Sequence, residues 1–206
     1  MDNEKIAHNR DVFLTWVNGI SRLTDEDKKN VSEYLDGTDF FVAPASVRYK
    51  GSYPGGLCEH SLNVLEYLLR LYDKFKFDLP NDASSTFGIP DSLIITALFH
   101  DIGKIGLYKK EIKDKKVYNE DGTSSWVKSV QYSSSEDYDG IGSVDENSAY
   151  IASTLVPMTQ YEVAAILNSN GFFNSDASTR NTMGIFKKNK LAQYLYYANS
   201  MDMFNE

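Results

Sequence analysis

One cysteine in 206 residues leaves no partner for an intramolecular disulfide, which fits a reducing compartment. No apolar run approaches the roughly 18 residues of a membrane span. The opening residues, Met1-Asp2-Asn3-Glu4-Lys5, lack the apolar stretch of a secretory signal. A cytoplasmic protein without a membrane partner is expected. Positive charge is also in deficit: 21 Lys and Arg stand against 29 Asp and Glu, a formal net charge of −8. General binding to a nucleic-acid backbone needs a basic surface and is not expected, although local basic pockets remain compatible. There is no internal repeat, low-complexity segment or shift in composition. A single domain over 1–206 is long enough to enclose its own core. Histidine is scarce as well, with only His8, His60 and His100. His8 lies in a polar lead-in and is expected to be exposed, which leaves two for chemistry.

Both of those stand in apolar sequence. Leu57, His60, Val64, Leu68 and Leu71 form one helical stripe into which an imidazole is inserted. Ile94, Ala97, Leu98 and Asp101 form another, which carries the Asp101 carboxylate towards the interior. An unpaired buried carboxylate neutralises, pairs with a cation or binds a metal. His100, beside it, supplies the commonest protein metal ligand. Either histidine alone is more simply a satisfied core residue; two histidines and Asp101 together favour one shared cation. Cys58 leaves the His60 helix in another direction and is read as a small packing residue.

Along the chain, 1–39 carries two N-terminal helices, one near Val12–Val17 ending at Gly19 and one opened by Thr24 and running to about Leu35. The stretch 40–56 is aromatic, non-periodic and punctuated by Pro and Gly, hence a loop. Its Arg48 and Lys50 are either donors to a substrate phosphate or ordinary surface charge. A helix over about 57–75 carries His60, and Asp91 is expected to cap a second helix that Gly103 stops. Lys104 either reaches substrate phosphate or complements the helix dipole. After the charged run Lys109–Lys116, a β-hairpin is expected over about 117–132 around Asp121-Gly122. Ser143/Glu146 and Thr159/Glu162 match capping boxes, opening helices over about 144–155 and 160–169 and explaining both glutamates as caps. A last helix runs from about 189 to 204. The fold class read from these elements is all-α, a helical bundle with a small β-hairpin insertion.

Gly55-Gly56-Leu57-Cys58-Glu59-His60-Ser61-Leu62 followed by Leu98-Phe99-His100-Asp101-Ile102-Gly103-Lys104 resembles the HD-domain superfamily of metal-dependent phosphohydrolases. The likeness is closest to small HD-domain proteins of phages and prophages, with a lead-in like Phe41–Ser46 and a segment like Tyr49–Gly56 before the first histidine. It extends from about Phe40 to the C-terminus and implies an HD-domain-like core over 57–206. It also implies one divalent metal held by His60, His100, Asp101 and a final Asp. In this chain Asn199 follows Ala198 where that Asp is expected, and Asp202 lies one turn further on, so either completes the set. Two-metal relatives add two histidines where Val144 and Ser169 align here, so a second metal is not expected. The donor set suits Mn, Fe, Co, Ni or Zn. The resemblance implies hydrolysis of a small-molecule phosphate ester, a nucleotide first, with His100, Asp101 and Lys104 catalytic. Arg48, Lys50 and Tyr53 are candidate substrate residues, and Tyr49 or Tyr53 would stack on a base. The alternative is a degenerate HD domain that binds a nucleotide or a protein partner without turnover. The oligomeric state is not readable from the sequence.

Overall fold

Asp2 accepts a hydrogen bond from the Lys5 backbone N–H at 2.8 Å. That cap opens α1 (Asn3–Gly19), which therefore starts well before the Val12–Val17 stretch. His8 lies on its exposed side, and Phe13 and Val17 are buried. The computed structural model describes residues 1–79, 83–118, 122–173 and 179–204. Thr24 and Asp27 make a reciprocal capping box at α2 (Asp25–Asp36). Then follow α3 (Gly56–Phe75), α4 (Asp91–Phe99), a 3₁₀ turn (Ile102–Lys104), β1 (Tyr108–Tyr118) and β2 (Ser124–Ser134). The chain closes with α5 (Val144–Leu155), α6 (Gln160–Ile166), a second 3₁₀ turn (Gly171–Phe173), α7 (Thr179–Lys188) and α8 (Lys190–Phe204). Both expected capping boxes at α5 and α6 form.

The architecture is mixed and mostly helical, which corrects the all-α reading: the eight helices of the described residues accompany a two-stranded antiparallel sheet. Each strand is 11 residues long, and the charged run Lys109–Lys116, read as preceding the hairpin, is the body of β1. A strand with neither face buried shows little of the apolar alternation by which strands are recognised. The Asn119-Glu120-Asp121 part of the expected turn lies outside the described residues.

The core centres on α4, all nine of whose residues are buried. It packs against α1, α3, α5, α6 and α8. Two local expectations change here. The N-cap of α4 is Pro90, and the Asp91 carboxylate instead accepts from Ser21 N–H, Ser21 Oγ and Arg22 N–H at 2.8–3.1 Å. Arg22 in turn pairs with the buried Glu162, which also accepts from Ser92 Oγ at 2.6 Å. This buried network ties the α1–α2 corner to α4 and α6. Gly103 does not stop the α-helix, which ends at Phe99. A Cβ on Gly103 would lie 2.6 Å from Ser148 N and Val144 O, so its smallness lets α5 pack against the turn after α4.

Candidate metal centre

The loop before α3 is clamped to the helix start. Gly55 has φ 80°, a left-handed conformation that favours glycine, and a Cβ on Gly56 would stand 2.1 Å from the Gly51 carbonyl oxygen. Val42 O and Ala43 O accept from the Gly55 and Leu57 N–H groups, each at 3.0 Å. These contacts fix the first turn of α3 and, with it, His60.

His60 lines a cleft and meets the fully buried His100 behind it. His100 Nδ1 lies 2.8 Å from the Ala97 carbonyl oxygen, which only accepts, so Nδ1 carries the proton and Nε2 presents a lone pair. His60 Nδ1 lies 2.6 Å from Asp202 Oδ2, which fixes the same tautomer. The two Nε2 atoms are 3.2 Å apart, and His60 Nε2 is 3.3 Å from Asp101 Oδ2. The ligand atoms of His60, His100 and Asp101 all lie within 4.8 Å of one another, so this buried group could hold a metal ion. Two facing lone pairs beside a carboxylate need a cation or a proton between them. Asp101 Oδ1 and Asn199 Oδ1 are buried without a hydrogen-bond partner. An unsatisfied buried acceptor is costly, so these two oxygens also fit a bound cation.

The electrostatics follow the same geometry. Burial works against charge on His60, but the Asp101 and Asp202 carboxylates outweigh it and raise its pKa. Burial drives His100 down to about 4, keeping it neutral at pH 7. Burial also opposes ionisation of Asp101, yet Lys104, His100 and His60 hold its carboxyl well below the usual range. Lys104 Nζ donates to Asp101 Oδ2 at 2.6 Å and to Ala45 O at 3.0 Å.

A cleft of about 1060 Å³ opens on this group, lined among others by Arg48, Lys50, Lys104, Asn170 and Asn199. Four of the expected residues, His60, His100, Asp101 and Lys104, stand together. Arg48 lines the cleft. Lys50 lines it while pairing with Asp202 Oδ1 at 2.8 Å. Tyr53 does not line it; its hydroxyl donates to Glu59, which is also paired with Lys5. Asp202 stands behind His60, on its Nδ1 side, with both oxygens engaged by His60, Lys50 and Asn63. Asn199 also lines the cleft and keeps its Oδ1 without a hydrogen-bond partner, while its Nδ2 donates to Ser169 O at 3.1 Å. Sequence reasoning missed Asn63 and Asn170. Asn63 was findable, being three residues after His60 on the same helical face; Asn170, in the turn after α6, carried no signal.

No protein-family model, curated protein or solved structure matches the chain.

Proposed function

We propose that the chain is a metal-dependent phosphohydrolase acting on a nucleotide or related phosphate ester through a mononuclear site. The observation that carries this reading is the pair of inward Nε2 atoms 3.2 Å apart beside the Asp101 carboxylate, next to a cleft that Arg48, Lys50 and Lys104 line. The resemblance to HD-domain phosphohydrolases supports it.

His60 Nε2, His100 Nε2 and an Asp101 oxygen would hold the ion, with Asn199 Oδ1 completing the set; mixed nitrogen and oxygen donors suit Mn, Fe, Co, Ni or Zn. Such a metal supplies Lewis acidity, lowering the pKa of bound water and offsetting charge on phosphoryl oxygens. The protein does the positioning. Asp202, itself held by Lys50 and Asn63, fixes the ring of His60. Ala97 O does the same for His100. Lys104 keeps Asp101 ionised. Arg48 presents a guanidinium fork suited to a phosphate.

A second reading, nucleotide binding without turnover, is favoured by one observation: the neutral amide of Asn199 stands where a carboxylate would bind metal more strongly. Elemental analysis of untagged protein beside His60→Ala, followed by a nucleotide phosphatase screen beside His100→Ala, separates the two. Near-stoichiometric metal lost in His60→Ala, with hydrolysis lost in a folded His100→Ala, is the expected result. Metal without hydrolysis moves the assignment to binding, and absence of metal even after reconstitution removes the metal centre.

A further inference from the structure

The start of α5 does not explain why Asp145 is buried. Ser143 and Glu146 already make the capping box there, and an acidic residue in a first turn complements the helix dipole from the surface. Glu146 is exposed, yet Asp145 is only 2% exposed. A buried carboxylate is costly unless donors surround it, so its partners show what it is for.

Those partners lie 24 and 25 positions away, in the turn after α6: Asp145 Oδ1 accepts from Ser169 Oγ at 3.3 Å and from Asn170 Nδ2 at 2.5 Å. From there the contacts run on to α8. Asn199 Nδ2 donates to Ser169 O at 3.1 Å and, at a longer 3.4 Å, to Asn170 Oδ1. Donor and acceptor roles are fixed along this chain. A carboxylate only accepts, so Asp145 takes the nitrogen end of Asn170 and leaves its oxygen end for Asn199. Ser169 O and Asn170 Oδ1 then occupy both hydrogens of the Asn199 amide. Turning that amide over would set its oxygen against two other oxygens. Asn199 Oδ1 is thereby left buried and without a hydrogen-bond partner, on a residue that lines the same cleft as His60 and Asp101.

We propose that Asp145 is a positioning residue for the metal centre: by holding Ser169 and Asn170 it keeps the Asn199 nitrogen engaged and the oxygen free for the ion. The proposal rests on the mononuclear reading above. Asp145 serves Asn199 as Asp202 serves His60, an outer carboxylate that decides which end of an inner side chain is presented. Asp202 touches its ring directly, whereas Asp145 works through the two residues between. Two other roles are open to a buried carboxylate here, a plain brace between α5 and the turn after α6, and a long-range pull of its charge on a cation. Neither depends on Asn199, and that separates them from the proposal.

A double-mutant cycle on cobalt(II) affinity, read by isothermal titration of the untagged full chain, makes the separation. The four proteins are the parent, Asp145→Ala, Asn199→Ala and the double variant. Should Asp145→Ala fail to fold by circular dichroism, Asp145→Asn replaces it, since an amide there offers Asn170 either end and the orientation is lost. The expected result is an affinity loss of about tenfold at Asp145, the size typical of partners that orient metal ligands, and no further loss when the change is added to Asn199→Ala. A loss of equal size in both backgrounds overturns the proposal, because Asp145 then acts as a brace or by its charge. Unchanged affinity in the Asp145 variant overturns it as well. If Asn199→Ala binds cobalt as tightly as the parent, Asn199 is no ligand and the proposal fails while the metal centre stands. A parent that binds no cobalt removes the mononuclear reading, and the positioning role with it.

Discussion

In the helical body, charged groups lie buried and matched; in the ribbon, apolar groups lie exposed and unmatched. Asp91 and Glu162 are fully buried, each with several donors. Trp126 and Ile112 are two-thirds exposed on strands that touch little else. Between these extremes stands the metal centre, buried like the body yet with Asp101 Oδ1 and Asn199 Oδ1 left without partners. Completed networks maintain the fold, whereas incomplete ones, apolar outside or polar inside, mark where something else binds.

The largest test of this contrast is Asp91→Ala. It strands the Ser21 and Arg22 donors in the core, so the urea midpoint should fall by an amount equivalent to about 3–5 kcal/mol. A fall under about 1 kcal/mol would mean that the α1–α2 corner opens and rehydrates at little cost.

The next is the pH dependence of the metal-free protein. His100 titrates near 4 when folded, below the roughly 6.5 of an unfolded histidine. The unfolded chain therefore binds more protons between those values, and stability should drop by roughly 3 kcal/mol as pH falls through that window. His60 works the other way, because its folded pKa is raised. Its contribution is full below about 6.5 and is lost as pH rises through the folded value, so metal-free stability should peak near the unfolded histidine pKa. Chemical denaturation across pH checks both limbs, and in His100→Asn the acid limb should flatten.

A smaller effect is expected at Asn199→Asp. The carboxylate places a charge where the free Oδ1 stands, tightening metal binding by about tenfold. It also removes the donor to Ser169 O, so the metal-free variant should be less stable than the parent. Isothermal titration with a transition metal and a thermal melt without one read the two halves separately, and unchanged affinity would remove Asn199 from the ligand set. Smallest of all, Lys113→Ser on β1 should move the thermal midpoint by less than the equivalent of about 0.5 kcal/mol, because that side chain is exposed and its ion pair with Glu111 lies at the surface.

Much of this was legible along the chain. The capping boxes at Ser143 and Thr159 formed where the pattern put them, and Thr24 opens α2 as read, with a capping box to Asp27 that was not foreseen. The apolar stripe of α3 carried His60 inward as read, whereas α4 is buried on every side and ends at Phe99, so His100 and Asp101 reach the same interior from beyond its end. Misreadings arose where a side chain's partner is distant. Asp91 looked like a cap but bonds residues 70 positions away. Asp202, read with Asn199 as one of two alternatives for the fourth ligand, pairs with His60 Nδ1 from 142 positions away. The ribbon was read too short and the bundle as all-α, because strands open to water on both faces need no hydrophobic alternation.

The sequence by itself determined what is local: helix starts, where side chain and amide lie within three residues, and helical faces, where spacing alone sets direction. Tertiary structure decided which nitrogen of each imidazole faces the centre, which carboxylate serves as orienter, and that the ribbon stands clear of the body. A side chain's reach covers a few residues of its own helix, whereas its choice among distant partners depends on how the helices pack.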